Sequence, residues 1–107
     1  MKESDLVRKI MKAVKASYPH AYCVKLADRY RRGLPDLMIL LPYQNGPHCL
    51  HCDQFFVEAK SPIGRLSKIQ IEEHRLICKA GSEVLVARDV ATVLERCALF
   101  TGGPDAA

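Results

Sequence analysis

The sequence has no tryptophan, and aromatic residues make up 7% of its 107 residues. It therefore offers no evident aromatic platform of the kind that stacks the bases of single-stranded nucleic acids. No apolar stretch approaches the roughly 20 residues that a membrane-spanning helix needs. The first five residues, Met-Lys-Glu-Ser-Asp, lack the features of a secretory signal peptide. We therefore expect an intracellular, cytoplasmic protein with no membrane association.

Cysteine is present, but its five copies are an odd number and are scattered along the chain. In an intracellular protein we expect them to be reduced, several of them as small apolar side chains, so no disulfide framework is predicted. The charge balance is also mild, because 16 basic and 12 acidic residues give a net charge of +4. This charge is compatible with a polyanionic partner but does not establish one.

The length predicts one domain, which we place at residues 1–100, followed by a flexible tail at residues 101–107. Apolar residues at three- and four-residue steps predict a first helix over residues 3–18. Leu37 to Leu41 is a continuous apolar run, which predicts a strand that is buried on both faces. Ser67 and Gln70 have the spacing of a capping box at the start of a helix. The remaining predicted elements are strands at residues 22–27, 54–60 and 83–88, and a helix capped by Asp89 that runs to about Phe100.

The predicted fold is therefore α/β, in the order α-β-β-β-α-β-α, with a mixed sheet of about four strands flanked by helices. The second and third strands can pair as an antiparallel hairpin across a loop between residues 42 and 54. That pairing would bring the start of one strand to the end of the other.

Charged side chains stand at both of these strand ends. Asp36 closes the stretch Gly-Leu-Pro-Asp before the second strand, and Glu58 and Lys60 close the third strand. Because strand side chains alternate, Glu58 and Lys60 share a face, whereas Ala59 points into the core. Two carboxylates bind hard divalent cations, the backbone carbonyl of Ala59 could complete the metal shell, and Lys60 would lie beside the reacting phosphate or water. The alternative is an exposed charge pair between strands and a turn aspartate.

These residues resemble the PD-(D/E)xK nuclease superfamily, and within it the stand-alone form of the virus-type replication-repair nuclease (VRR-NUC) domain. The resemblance rests on Gly33-Leu34-Pro35-Asp36, on Glu58-Ala59-Lys60, on the Leu-Ser-x-x-Gln motif that ends at Gln70, and on Glu3. It covers residues 3–96, and the predicted element order matches the restriction-endonuclease-like core of that superfamily.

The resemblance also implies roles for individual residues. Asp36 and Glu58 would ligate Mg²⁺, for which Mn²⁺ would substitute, and Lys60 would be the catalytic lysine. Glu3 would reach the site from the first helix, where it would also suit the helix dipole. Gln70 would lie near the metal, close the capping box, or do both. Arg31 and Arg32, just before the motif loop, would suit contacts with DNA phosphates.

The function implied is a metal-dependent, structure-specific DNA endonuclease, in the form of a homodimeric Holliday-junction resolvase that acts on branched DNA. Two alternatives remain open at this point: a monomeric nuclease for flaps or nicks, and a non-catalytic nucleic-acid-binding module of the same fold. A dimer interface could come from an exposed strand or from apolar residues of the last helix, namely Val90, Val93, Leu94, Leu99 and Phe100.

Four metal-ligand residue types are crowded between His48 and Cys52, namely His48, Cys49, His51 and Cys52. A closed tetrahedral zinc site usually draws its ligands from two separated pairs, and the sequence has no second Cys-x-x-Cys. A loop with incidental ligands is therefore the preferred interpretation, and a zinc-stabilised interaction domain is the alternative.

Overall fold

The computed structural model describes residues 2–42 and 52–101. Its elements follow the predicted order α-β-β-β-α-β-α. The helices are α1 (Glu3–Ser17), α2 (Lys68–Lys79) and α3 (Val90–Thr101), and the strands are β1 (Tyr22–Lys25), β2 (Leu37–Pro42), β3 (Cys52–Ala59) and β4 (Val84–Ala87). The predicted elements are all present, and their ends differ from the predictions by no more than about two residues. The strand β3 begins two residues earlier than predicted.

The four strands form one mixed sheet in the order β1-β2-β3-β4. The pairs β1·β2 and β2·β3 are antiparallel, and β3 and β4 are parallel, so α2 is the crossover between them. The predicted hairpin is confirmed, with Leu37 opposite Val57. Asp36 therefore precedes β2 at the same end of the sheet at which β3 finishes.

The helices α1 and α3 cover one face of the sheet, where the core lies. Fully buried strand residues at alternate positions, such as Leu37, Ile39, Phe55 and Val57, pack with apolar residues of both helices. Ala59 belongs to this core, as predicted. Burial of apolar side chains of this kind is the main driving force for folding.

The opposite face of the sheet is only partly covered. In β2, Met38 and Leu40 alternate with the core residues and are half-buried, so the prediction that this strand is buried on both faces is wrong. The reason is that α2 packs against β4, which is the edge strand opposite β1. The helix therefore leaves β2 only partly covered on this face. Glu58 projects from this second face, toward α2.

Two helix starts are fixed by local side-chain hydrogen bonds, as predicted. In α2, Gln70 N–H donates to Ser67 Oγ over 3.1 Å, and Ser67 N–H donates to Gln70 Oε1 over 2.9 Å. In α3, Asp89 Oδ1 accepts hydrogen bonds from the backbone N–H and the hydroxyl of Thr92. These caps satisfy N–H groups that have no partner within the helix.

The apolar residues of α3 that the sequence offered as a dimer interface differ in how far they are buried. Val93 is fully buried in the core, and Val90 and Leu94 pack against that core. Val93 is therefore not available to a second copy, whereas Val90 and Leu94 keep part of their surface exposed. Leu99 is 77% exposed and remains available.

Some predictions fall outside the described residues. These are the loop that carries His48, Cys49 and His51, and the tail from residue 102 onward. Thr101 is still helical. Cys52 is exposed at the start of β3, and Cys23, Cys52 and Cys78 have free thiols. No helix in these ranges has the length and apolarity required to cross a membrane.

Candidate active site

Asp36 is held where the loop before β2 meets the end of β3. Its backbone N–H donates to the carbonyl of Val57 over 2.9 Å, which extends the hairpin by one step. Its side-chain Oδ2 accepts a hydrogen bond of 2.8 Å from the backbone N–H of Ala59. The aspartate is therefore fixed against the strand segment that carries Glu58 and Lys60. Asp36 is thus more than a turn residue, because both its backbone and its side chain are hydrogen-bonded to β3.

Glu58 is almost completely buried, with 2% of its surface exposed. Two side chains of α2 contact its carboxyl group: His74 Nε2 lies 3.1 Å from Oε1, and Gln70 Nε2 donates to Oε2 over 3.4 Å. Positions 70 and 74 are four apart and so lie on the same face of the helix. The face of α2 that is turned toward the sheet therefore binds both oxygens of this carboxyl group.

The environment of Glu58 disfavours its charge. The pKa of Glu58 is raised to about 8, firstly by burial and then by the negative charge of Asp36 and a hydrogen bond with the Asp36 carboxyl group. The charge of Glu3 also raises this pKa, whereas Lys60 opposes the shift. Two carboxyl groups that share a site cannot both ionise easily without a cation. A carboxyl group with a pKa raised in this way is typical of functional sites.

Lys60 is a buried cation, with 8% of its surface exposed, one residue beyond the end of β3. Its backbone N–H donates to the carbonyl of Ala87 over 2.9 Å, so the residue continues the parallel pairing with β4. Its charge lowers the pKa of both Glu58 and His74. Burying an ammonium group is costly unless opposite charge lies near it, and Lys60 interacts with the charge of Glu58. The alternative of an exposed cross-strand pair is therefore wrong.

Glu3 reaches the same end of the sheet from the first turn of α1. Its Oε2 accepts a hydrogen bond of 3.3 Å from the backbone N–H of Ser61. Glu3, Lys60, Ser61 and Arg88 are among the residues that line an open groove of about 190 Å³. Glu3 is thus at the border of the site and does not contact Glu58 or Asp36 through a hydrogen bond.

Gln70 closes the capping box and also contacts Glu58. Its Oε1 accepts from Ser67 N–H in the capping box, and its Nε2 donates to Glu58. The amide group has one acceptor and one donor end, so a single rotamer serves both contacts.

The loop that precedes Asp36 is bound to α2. Arg31 forms a two-point ion pair with Glu73, with Nε to Oε2 at 3.0 Å and a terminal nitrogen to Oε1 at 2.9 Å. Gly33 has φ +82°, and a Cβ built on it would lie 2.7 Å from the carbonyl oxygen of Ile69. The Arg31 side chain is 54% exposed, so it is accessible but already paired. Arg32 is exposed beside it.

Sequence reasoning missed two residues here, His74 and Glu73. Nothing in the sequence places Glu73 opposite Arg31, because they are 42 positions apart. His74 had a detectable signal, since it follows Gln70 by four residues and so shares its helix face. Burial, and then the charge of Lys60, lower the pKa of His74, whereas Asp36 and Glu73 act in the opposite direction.

The donor set fits a hard divalent cation. Asp36 and Glu58 supply carboxylate oxygens, and their mutual repulsion is what a bound cation would relieve. Within residues 2–42 and 52–101, no cluster of three or more His, Cys, Asp or Glu side chains is arranged to hold a metal. Two carboxylates are nevertheless sufficient protein ligands for Mg²⁺, because waters and substrate phosphates usually complete its coordination.

Comparisons with known proteins identify the family to which this chain belongs. The family profile described as the VRR-NUC domain matches residues 1–91. A solved structure described as "VRR_NUC domain" superposes with a TM-score of 0.68 and 24% identity, covering 89% of this chain and 92% of the other. A second, described as "VRR_NUC domain protein", gives a TM-score of 0.66 and 15% identity, over 95% and 89% of the two chains.

No curated protein sequence matches the chain. At identities below 25%, the two solved structures establish the shared fold and no more. The profile match extends over most of the chain and includes every residue of the carboxylate and lysine cluster. The chain belongs to the VRR-NUC domain family, whose members are nucleases of the PD-(D/E)xK type.

Proposed function

We propose that this protein is a magnesium-dependent endonuclease that hydrolyses phosphodiester bonds in branched DNA. The observation that carries the proposal is the buried Lys60 beside the carboxyl groups of Asp36 and Glu58 at one end of the sheet. A module that only binds nucleic acid would have no use for a buried glutamate with an elevated pKa beside a second carboxyl group and a lysine. The same cluster is what phosphodiester hydrolysis requires.

Asp36 and Glu58 are the proposed ligands of Mg²⁺, for which Mn²⁺ would substitute. The backbone carbonyl of Ala59 is a third candidate, because the N–H of Ala59 faces Asp36 and the carbonyl of a strand residue lies on the same side as its N–H. The bound cation would lower the pKa of a water molecule and neutralise charge on the scissile phosphate. Glu58 must ionise to bind it, and the positive charge of Lys60 favours this ionisation.

Lys60 is the proposed catalytic residue. Its ammonium group can donate hydrogen bonds to the attacking water or to a phosphate oxygen, and a nearly buried location strengthens such contacts. Gln70 orients Glu58, and Glu3, at the border of the site, adds negative charge beside the groove. These two residues support the site, while Lys60 adds its positive charge at the phosphate to that of the cation.

The proposed substrate is a four-way DNA junction, cut by a homodimer. A two-fold axis would relate two active sites in the way that the symmetric phosphodiesters of a junction are related. The exposed Leu99 of α3 is one candidate contact between the two copies. Arg32 is the better candidate for a DNA phosphate, because Arg31 would have to leave its ion pair with Glu73 to bind one.

The test is cleavage of labelled four-way junctions, flaps and linear duplexes by the purified protein, with Mg²⁺ and with EDTA. Lys60→Ala is the site variant, and Lys68→Ala, an exposed lysine at the start of α2, is the matched control. We expect paired symmetric cuts in the junction that disappear with EDTA or with Lys60→Ala and persist with Lys68→Ala. Lys60→Ala should still bind the junction in a gel-shift assay.

The other outcomes separate the alternatives. Cuts restricted to flaps or nicked ends, made by a monomer, would keep the nuclease and exclude the resolvase. Binding without cleavage of any of these substrates would favour the non-catalytic module. Full activity in purified Lys60→Ala would refute the assignment of the site.

A further inference from the structure

His74 is a largely buried side chain at the candidate site to which neither the family motif nor the proposed chemistry gives a role. Its side chain is 11% exposed, and its Nε2 lies 3.1 Å from Glu58 Oε1. The neighbouring oxygen of the same carboxyl group is contacted by Gln70, one helical turn earlier. The two contacts together leave Glu58 little rotational freedom, because each oxygen is bound to a different side chain of the same helix.

His74 is not itself placed as a third metal ligand. The part of the chain described by the structure contains no group of three His, Cys, Asp or Glu side chains that could hold one ion. Any effect of His74 on a cation must therefore pass through Glu58. An ionised carboxylate only accepts hydrogen bonds, so a Glu58 that binds a cation requires His74 to present an N–H from Nε2.

We propose that His74 is a positioning residue that donates a hydrogen bond from Nε2 to Glu58 and thereby sets the affinity of the site for its divalent cation. The inference rests on the proposed function, because it takes Glu58 to be a cation ligand. Hydrogen-bond partners outside the ligand set fix the orientation of the ligands, and their loss typically weakens metal binding by about 10- to 100-fold.

The test is isothermal titration of Mn²⁺ into the DNA-free protein, which measures binding without reference to activity. His74→Leu removes the donor, whereas His74→Gln keeps an N–H donor at nearly the position of Nε2. His20→Leu is the matched control, since His20 is exposed in the turn after α1. Thermal melts in EDTA report whether each variant is folded before metal is added.

We expect His74→Leu to bind Mn²⁺ about 10- to 100-fold more weakly, with His74→Gln recovering most of the affinity and His20→Leu unchanged. Unchanged affinity in His74→Leu would overturn the inference. The inference would also be overturned if His74→Gln bound Mn²⁺ as weakly as His74→Leu. The shape of the histidine side chain, and not its N–H donor, would then determine the affinity.

Asp36→Asn separates this inference from the function on which it rests. If Asp36→Asn abolishes Mn²⁺ binding while His74→Leu leaves it intact, only the role of His74 fails. If the unaltered protein binds no Mn²⁺, both the metal-dependent function and the inference fail. The two failures are therefore distinguishable in a single set of titrations.

A measurement on the unaltered protein tests the inference even if the His74→Leu variant does not fold. Long-range ¹H–¹⁵N spectra of the Mg²⁺-saturated protein report which imidazole nitrogen carries the hydrogen. We expect His74 to be held as the Nε2–H form. A neutral His74 with its hydrogen on Nδ1 would overturn the proposal, because that form has no donor for Glu58.

Discussion

The backbone N–H of Ala59 donates a hydrogen bond to Asp36 Oδ2 over 2.8 Å, which joins the loop before β2 to the last residue of β3. This bond aligns Asp36 with the two residues that flank Ala59, which are Glu58 and Lys60. One carboxylate oxygen of Asp36 therefore has a donor from the protein backbone. The position of Asp36 is thus set by the backbone of the strand that bears the other site residues.

Asp36→Asn keeps the shape of the Asp36 side chain but removes its negative charge. The asparagine carbonyl can still accept from Ala59 N–H, so the fold should persist. The loss of a negative charge beside Glu58 should increase the free energy of unfolding in EDTA at neutral pH, because that charge contributes to the raised pKa of Glu58. Mn²⁺ binding and DNA cleavage should both fall below detection.

The control for this variant is Asp28→Asn, in the same loop. Asp28 accepts a hydrogen bond from the backbone N–H of Tyr30 and is exposed. It should leave metal binding and cleavage unchanged. Cleavage at the unaltered rate by Asp36→Asn would exclude this aspartate as a ligand.

The raised pKa of Glu58 predicts how stability varies with pH in the absence of metal. The folded chain holds this proton up to about pH 8, whereas the unfolded chain releases it near the ordinary value of 4.5. The folded state therefore binds more protons between these values, and the free energy of unfolding should fall as the pH rises through this window. The contribution of one group is at most about 1.4 kcal/mol per pH unit.

Urea unfolding in EDTA at about pH 5 and about pH 7.5 measures this dependence. Glu58→Gln keeps the shape of the side chain but cannot ionise. Its free energy of unfolding should therefore lack the pH dependence that Glu58 contributes, and the variant should be more stable than the unaltered protein at the higher pH. An identical pH dependence in the two proteins would mean that Glu58 is not the group responsible.

The sequence predicted the parts of this site that follow from short-range rules. The period of two along β3 placed Glu58 and Lys60 on one face with Ala59 opposite, and the hairpin placed Asp36 at their end of the sheet. The capping box of Ser67 and Gln70 was likewise predictable, because it depends on residues three positions apart.

The contributions of α2 to the site could not be predicted in the same way. Whether His74 reaches Glu58 depends on the distance and rotation of a whole helix relative to the sheet, which side-chain packing sets. The bridge between Arg31 and Glu73 depends on the same docking. The sequence also overestimated the burial of β2, since a run of apolar residues does not show how much of each sheet face a helix will cover.

The two roles of Gln70 can be separated by a pair of substitutions. Ser67→Ala removes half of the capping box but leaves the contact with Glu58, so it should lower the free energy of unfolding by about 1 kcal/mol and preserve cleavage. Gln70→Glu keeps the acceptor for Ser67 N–H but replaces the donor to Glu58 with a carboxylate. It should retain the cap and reduce cleavage by about 10- to 100-fold.

Urea unfolding and cleavage rates at saturating Mg²⁺ provide the two readouts. We expect Ser67→Ala to lose stability but keep its cleavage rate, and Gln70→Glu to keep its stability but lose cleavage activity. If Gln70→Glu cleaves normally, the amide is only a cap, and its approach to Glu58 has no consequence for the site.

Gly33 and Gly81 offer a matched pair for measuring how closely the Asp36 loop must approach α2. Both have positive φ, at +82° and +102°, where a side chain costs about 1–2 kcal/mol. A Cβ at Gly81 would meet nothing within 4 Å, whereas one at Gly33 would lie 2.6 Å from Ile69 Cγ2 and 2.7 Å from its carbonyl oxygen. Gly81→Ala should therefore show the conformational cost alone.

Gly33→Ala should be more destabilising than Gly81→Ala in urea unfolding, because its methyl group must displace either the loop or the backbone of α2. A displaced loop would also move Asp36, three residues later, so Mn²⁺ binding should weaken in Gly33→Ala and stay unchanged in Gly81→Ala. Equal losses of stability, with Mn²⁺ affinity preserved in both, would show that the loop can retreat from α2 without disturbing Asp36. The hydrogen bond from Ala59 would then be sufficient to hold that aspartate in place.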